Sequence, residues 1–499
     1  MTAVMEQPVL ERPADPGETE VAAPATRSWI GFAAVLTAMI MNILDSTIVN
    51  VAAPAIQRDL VMSNSALEWI AAAYTLAIAV GLITGGRLGD LLGRRNMLLT
   101  GLAGFVIAST LCAIAWSPES LIAARVLQGL SAALITPQGF GLIRDLFGPA
   151  NIGKAFAALG PVIGLSTVLG PVVSGLLIDA NIWGTGWRSL FLVNLIPGAF
   201  ALIIGYKFLP SGASKHAGIR LDGIGTALMA LVSFLVVFPL VDGRSLGWPL
   251  WIFGVLAAAL PVLAVFVLQQ RRRVRAGRTP LVEISVLHKP SYLSGVGFVL
   301  VFFAVIVGFS LTIGLFLQLG LGLSAMKASL YLSALAVGTF FGSGVGAWAA
   351  TAVGRPILHV GLTLMAIGTG IMYFSLRAVH GTVGVGQLAP GMAVFGLGMG
   401  MIFVPLFSII VAEIDDREVG SASGLLESMQ QLGASLGVAV LATLFFSTMA
   451  LERGGPAAAI AAGRPVLAAE HTLLVTLGLI AVAWILGWLL PRRAKAITH

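Results

Sequence analysis

Asp45 lies deep inside the first long apolar stretch of the chain, in the run Met41–Ile56, MNILDSTIVNVAAPAI. A charge facing lipid at that depth costs about 3 kcal/mol or more, so an acid placed there points to a polar pathway or a proton-binding site. Thr47 and Asn50 follow within about one helical turn, and Pro54 bends or ends the helix. Counted from Trp29, an interfacial anchor, Asp45 sits ~24 Å along a helix and therefore in the outer half of a ~30 Å core. Arg125 enters the fourth apolar stretch from the other direction and lies ~12 Å below the same surface. The two groups are at matched depth, and a guanidinium that keeps its charge can modulate an acid that gains and loses a proton. Two plainer readings stand beside this one: a carboxylate that only locks a helix contact, and a fixed structural ion pair.

The elements that position these groups are membrane helices. Of 499 residues, 58% are hydrophobic and 10% charged, against about 25% charged in a soluble domain. Windows of about 20 apolar residues, the length that crosses a bilayer as helix, recur about fourteen times from 29–49 to 471–490 and include 119–140, 153–178 and 385–411. The connecting loops are short and leave no soluble domain for separate enzymatic chemistry, so an enzyme is not expected. The single cysteine, Cys112, excludes a disulfide framework and a thiol metal site. Residues 1–27 are rich in Pro, Glu and Ala without an apolar core, which predicts a disordered cytoplasmic tail rather than a signal peptide.

The net charge of +7 follows the membrane rather than nucleic acid. With the N-terminus inside, the cytoplasmic segments collect Arg87, Arg94, Arg95, the run 271–278, Arg355 and the tail at 492–495. That bias places both termini inside. The run at 271–278 is read as a topology anchor, with a lipid-headgroup or regulatory patch as the alternative.

An internal repeat is visible. Gly93-Arg94-Arg95 after the second window returns as Gly354-Arg355-Pro356 after the tenth, and Gly153-Lys154-Ala155 opening the fifth is echoed by Gly420-Ser421-Ala422 opening the thirteenth. The spacing predicts a first bundle of six helices over 28–210, an inserted pair with its basic loop over 211–290, a second bundle over 291–491 and a tail at 492–499. The loop Gly86–Arg95 has glycines for a tight turn, and Asp90 is placed to cap the next helix or to meet a basic residue. The fifth window, with Gly160-Pro161 and Gly170-Pro171-Val172-Val173-Ser174-Gly175, holds too many breakers for a plain helix and predicts a close contact or hinge.

Leu44–Ile56 (LDSTIVNVAAPAI), Gly86–Arg95 (GRLGDLLGRR), Arg125–Gly129 (RVLQG), Gly170–Gly175 (GPVVSG) and Trp187–Gly198 (WRSLFLVNLIPG) together resemble the fourteen-span drug:proton antiporters of the major facilitator superfamily. The resemblance implies an all-α integral membrane protein of the major facilitator fold, two six-helix bundles plus two inserted helices. It implies that Asp45 is the coupling acid and Arg125 its partner in proton transfer. Gly86, Asp90, Gly93 and Arg94 become a conformational switch at the cytoplasmic face, and Gly170, Pro171 and Gly175 the span-five motif of antiporters. The chain departs from the pattern at Leu91, at Ser174 and at Pro197, one place later than usual. It departs again in span thirteen, where Glu427 and Gln430 stand in place of the commoner Asn and Arg.

Glu427 is thus a second membrane acid, ~10 Å in from the opposite face. It joins Asp45 and Arg125 as a proton-coupling candidate, while Thr47, Asn50, Gln128, Gln430 and Gln431 are the expected cavity-lining polar residues. The expected activity is export of amphipathic or lipophilic, cationic compounds across the cytoplasmic membrane in exchange for protons, with no cofactor and no metal. The expected partners are a small-molecule substrate, protons and the bilayer, with no nucleic acid, and the expected state is a monomer. An uptake symporter of the same fold and a non-transporting receptor or scaffold remain as alternatives. The sign of flux under a pH gradient separates the first, and insensitivity to neutralising Asp45 the second.

Overall fold

The computed structural model of the chain describes residues 26–210, 222–243, 245–278, 280–281, 289–378, 385–410, 419–449 and 463–491. Residues 1–25 and 492–499 of the two expected tails lie outside that range, as does much of the loop that carries the end of the basic run. Thirteen long helices occur among the described residues. They are α1 (Thr26–Asp59), α2 (Asn64–Leu92), α3 (Arg94–Ala113), α4 (Pro118–Ala180), α5 (Leu195–Phe208), α6 (Gly223–Asp242) and α7 (Leu250–Arg275). There follow α8 (Pro290–Leu315), α9 (Ala325–Ala352), α10 (Pro356–Ala378), α11 (Ala389–Ile410), α12 (Val419–Met449) and α13 (Arg464–Gly487).

Local chemistry sets many of the ends. Ser63 accepts from Ala66 N at 3.1 Å to cap α2, and Ser117 and Ser120 form a capping box at α4, where Pro118 occupies the first turn. Gly93, at φ +93°, breaks α2 from α3, and Gly354, at φ +69°, precedes α10. A side chain rarely adopts such a backbone, so glycine at both positions is a requirement of the turn.

Twelve stretches among the described residues are long and apolar enough to cross a membrane, and each coincides with one of the fourteen sequence windows. The window 385–411 is α11, whose apolar run Ala389–Phe403 falls short of that length. The window 153–178 lies in the second part of α4. A straight rod of 63 residues would reach ~95 Å. Yet Ser189 Oγ donates to Leu177 O near one end of α4, while the adjacent Arg188 donates from Nη2 to Ala115 O beside the other. Both bonds require α4 to double back, so it supplies two antiparallel passes.

Helix pairs repeat through the chain. α2 packs on α4, α3 on α4, α1 on α5 and α3 on α5; in the later part α9 packs on α11, α10 on α11, α8 on α13 and α10 on α13. The two sets then cross reciprocally, α12 against α2 and α4 against α9. Small residues permit the close approaches. A Cβ on Gly338, Gly342 or Gly346 of α9 would run into the α11 backbone, and Gly81 and Gly85 of α2 face α4 at Ala133 in the same manner. α6 and α7 pair with each other, and α6 also touches α2 and α12, so this intervening pair lies along one seam between the two sets.

Hydrogen bonds joining the two sets among the described residues all lie toward the end marked by Asp59. Gln318 Nε2 donates to Val51 O at 3.1 Å, Met326 N to Asp179 Oδ2 at 3.2 Å, Ser435 Oγ to Ala72 O at 3.3 Å and Thr443 Oγ1 to Glu68 Oε2 at 3.0 Å. At that end the two sets are closed against each other.

Candidate functional site

α1, α3, the first pass of α4 and the start of α5 converge on Asp45, which has no exposed surface. Arg125 Nη1 donates to Asp45 Oδ2. Gln128, one turn further along α4, donates from Nε2 to Asp45 Oδ1 at 2.8 Å and to Ser109 Oγ at 2.8 Å, and accepts from Arg125 Nη1 at 2.7 Å. Asn194, at the start of α5, donates to Asp45 Oδ1 at 3.3 Å and to Ser109 Oγ at 3.4 Å. Arg125 Nε donates to Ile70 O at 3.2 Å, and the ring of Tyr74 lies 4.0 Å from the guanidinium carbon. Both carboxylate oxygens therefore have donors and the guanidinium has a ring against it, an arrangement that offsets the desolvation of two charges taken out of water.

The two residues that the depth count from sequence placed at one level are in contact. Gln128, expected among the cavity-lining polar residues, is fully buried and forms part of the carboxylate's shell. Ser109, Tyr74 and Asn194 were not expected there. The signal available in the sequence was a neutral polar residue isolated in an otherwise apolar stretch, which is weaker than a charge.

The other expected residues distribute as follows. The side chains of Thr47, Asn50, Asp90 and Pro171 lie outside the described residues. Gly86 faces Pro137 across an ordinary contact of 3.7 Å to a notional Cβ, and Arg94 donates to Asp145 Oδ1 at 3.2 Å and Gly141 O at 3.3 Å, tying the start of α3 to α4. Gly170 O accepts from Ser174 Oγ at 2.7 Å, so the serine that departs from the family pattern bonds back onto its own helix. Gly175 lets α4 approach α9, where a Cβ would meet Ala325 O at 2.8 Å. Glu427, Gln430 and Gln431 are half-buried in the first turns of α12, toward the end opposite Asp59. Glu427 makes no hydrogen bond or ion pair among the described residues, to Gln430 and Gln431 included.

A further acid, Glu68, is 1% exposed on α2 and accepts from Thr443 of α12. It stands at the edge of the second apolar window, where an acid reads as interfacial, and for that reason the sequence did not mark it.

Residues 35–438 match the Major Facilitator Superfamily. The chain belongs to that superfamily. It is 44% identical over 427 residues to the "Probable actinorhodin transporter" of Streptomyces coelicolor, covering 85% of this chain and 74% of the relative. It is 31% identical over 440 residues to the "Tetracenomycin C resistance and export protein" of Streptomyces glaucescens, covering 88% and 79%. The "Puromycin resistance protein pur8" of Streptomyces alboniger matches at 32% over 476 residues, 94% and 92% of the two chains. Among solved structures, a bacterial homolog of the lysosomal transporter Spinster, inward-facing and occupied, superposes with a TM-score of 0.66 at 16% identity, over 94% and 97% of the chains. The xylose transporter XylE of E. coli, partially occluded and inward open, gives 0.63 at 14% over 93% and 98%. At such identities the structural likeness carries the facilitator fold alone. The protein is a multi-pass transporter of small molecules in fold and family, not an enzyme scaffold.

Proposed function

We propose that this facilitator is a fourteen-pass, proton-coupled antiporter that exports amphipathic or lipophilic, cationic compounds across the cytoplasmic membrane, with both termini inside, acting as a monomer without a cofactor. The observation that carries the reading is the fully buried pair Asp45–Arg125 with its shell of Gln128, Asn194 and Ser109. A carboxylate so enclosed exchanges protons with solvent only if the helices around it move. Opening and closing of the bundles then becomes linked to its charge.

The names of the relatives, which speak of antibiotic transport, export and resistance, support efflux as the direction and drug-like molecules as the cargo. The doubled-back α4 and the short α11 supply the two passes beyond the twelve. In this reading the bundles are 28–210 and 291–491, with 211–290 inserted, and the Asp59 end is outside. The closed contacts there correspond to an inward-facing state, in which the half-buried Glu427 stands on the open side as a second proton-coupling acid. Thr47, Asn50, Gln430 and Gln431 line the substrate path. Gly86, Asp90, Gly93 and Arg94 with Gly170, Pro171 and Gly175 form the parts that flex or slide.

Reconstituted vesicles test the reading. An imposed pH gradient drives a panel of cationic and neutral compounds through the wild-type protein, while Asp45→Asn, which keeps size and hydrogen bonding, abolishes the pH-driven component without loss of folding. Arg125→Lys keeps the charge but loses the planar fork, and lowers the driven rate. Unchanged pH-driven transport in Asp45→Asn would refute the assignment.

A further inference from the structure

Arg125 is held on three sides. Asp45 and Gln128 take its Nη1, Ile70 O takes its Nε, and the face of the guanidinium lies against Tyr74. Tyr74 is fully buried on α2, and its hydroxyl points away from the ion pair to Asn42 Oδ1, a donor–acceptor separation of 2.5 Å. Asn42 is one turn before Asp45 on α1, and its Nδ2 donates in turn to Thr136 Oγ1 of α4 at 2.9 Å. Asn42 and Thr136 are both half-exposed, whereas Asp45, Arg125, Gln128 and Tyr74 are sealed. A single side chain, Tyr74, therefore joins a partly exposed polar contact to the back of the guanidinium that holds the carboxylate.

The geometry of α2 leaves Tyr74 little freedom to respond in any other way. A Cβ on Gly129 of α4 would meet Tyr74 O at 2.5 Å, so the backbone of α2 is fixed against α4 at this level. With the backbone fixed, release of the hydroxyl frees only the ring, and the ring is what bears on Arg125. The charged and titratable groups around Asp45 are Arg125 from α4, Tyr74 from α2 and Cys112 from α3, which donates to Gln128 Oε1 at 3.6 Å; α5 contributes the neutral Asn194. Among the described residues, Tyr74 alone of these is tied by a hydrogen bond to a partly exposed side chain, that of Asn42.

We propose that Tyr74 is a positioning residue that transmits the state of the Asn42–Thr136 contact to the Arg125–Asp45 pair. A compound whose own donor or acceptor engages the Asn42 amide breaks the bond to the Tyr74 hydroxyl, lets the ring move off the guanidinium, and changes how firmly Arg125 holds the carboxylate. Binding of cargo and gain or loss of the proton are linked through that one ring. The inference rests on the reading of Asp45 as the coupling acid.

Infrared difference titration of the full-length protein in lipid tests it without a known substrate. The carboxylic acid band that titrates in the wild type and vanishes in Asp45→Asn reports Asp45. Tyr74→Phe keeps the ring and removes the bond to Asn42; Asn42→Ala removes the same bond from the other side. Each is expected to displace the midpoint of the Asp45 band, and the double variant to displace it no further than either alone, because one interaction is being removed twice. Tyr74→Leu, which removes the ring, is expected to displace it by about tenfold or more in proton concentration. A band that titrates as in the wild type in Tyr74→Phe and Asn42→Ala, or displacements that add in the double variant, overturns the proposal. Should Tyr74→Leu fail to reach the membrane folded, the Phe and Ala variants decide the matter alone, since each deletes no more than one polar group. A wild-type protein with no Asp45-dependent titrating band is a different result: it removes the coupling acid itself, and this proposal with it.

Discussion

Arg95 and Arg355 perform the same task in the two helix sets. Arg95 donates to Tyr206 O at the end of α5 and lies 5.2 Å from the centre of the Tyr206 ring. Arg355 donates to Trp488 O at 2.6 Å and Leu490 O at 2.9 Å, beyond the end of α13, and lies 5.3 Å from the Trp488 ring. Each arginine follows closely on a glycine of positive φ, Gly93 or Gly354, and each satisfies carbonyls that the last turn of a helix leaves without partners. The third and sixth helices of each set are thereby pinned at the end opposite Asp59.

Removing either pin is a stability change and not a transport change. Arg95→Ala and Arg355→Ala are each expected to cost about 1–2 kcal/mol, from a charge-assisted hydrogen bond and a cation–π contact at a half-exposed site. The check is the thermal midpoint of the solubilised protein, with vesicle transport by the protein that survives. A Lys at either position restores the charge but not the fork, and recovers only part of the loss. No change in midpoint for either alanine variant would mean the two contacts are incidental.

The Gly-Arg part of the repeat was legible in the sequence because a positive-φ turn leaves so little choice: only glycine serves at Gly93 and Gly354, and an arginine one or two places on serves the carbonyls opposite. Asp45 and Arg125 were legible because charge at membrane depth is rare, and a count of residues along two antiparallel helices sufficed to pair them. Tyr74, Asn194 and Ser109 were not, since a neutral polar residue in an apolar stretch has many uses. A second repeat also escaped notice. Gly81, Gly85 and Gly89 of α2 and Gly338, Gly342 and Gly346 of α9 are two four-residue ladders in corresponding helices, but 60 glycines in the chain bury such a pattern in background.

Asp59 closes the far end of α1. It accepts from Trp187 Nε1 at 3.0 Å and from Arg188 Nη1 at 2.5 Å, and the hydrogen-bonded Arg188 guanidinium holds its carboxyl below the ordinary value. A depressed value means that the contribution to stability is present above the unfolded carboxyl range and is lost as pH falls through the folded one. The pair is substantially exposed, so its worth is below about 1 kcal/mol. Asp59→Asn is therefore expected to lower the thermal midpoint slightly near neutrality, the difference from wild type shrinking as pH drops below the ordinary carboxyl range. A difference that stays constant down to acid pH would assign the effect to packing rather than charge.

The intervening pair is tied to α2 at both ends. Thr84 and Thr226 share a hydrogen bond of 2.7 Å near one end, and Trp69 Nε1 donates to Asp242 Oδ2 at 2.6 Å near the other. Among the described residues, its hydrogen bond to the later set is Thr443 Oγ1 to Leu240 O, at the closed end. If the bundles rock against each other, α6 must travel with α2. In a Cys112→Ser background, a disulfide between Cys residues replacing Thr84 and Thr226 is expected to leave vesicle transport intact. Cys residues replacing Glu68 and Thr443, joined by a short bifunctional thiol reagent that makes up the missing length of the glutamate, are expected to stop transport until a reductant releases them. Arrest by the first cross-link would show that α6 moves independently of α2, and passage through the second that α2 and α12 do not part at that end.

Glu427 sets this chain apart from the commoner pattern of its span, and three outcomes distinguish its roles. It stands half-buried in the early turns of α12 with no bonded partner among the described residues, so its charge is available to something that comes and goes. Glu427→Gln preserves shape and removes the charge; Glu427→Asn also shortens the side chain. If the carboxylate recognises cargo, both variants lose export of cationic compounds and keep export of neutral ones of similar size. If it carries a proton, every compound loses its dependence on the pH gradient, as in Asp45→Asn. Coupling is the expected result if the end opposite Asp59 is the open, cytoplasmic one, as proposed above, because an acid there can release a proton while Asp45 stays sealed. Equal export of both classes with an unchanged pH profile would reduce Glu427 to a packing role and leave the proposed coupling to Asp45 alone.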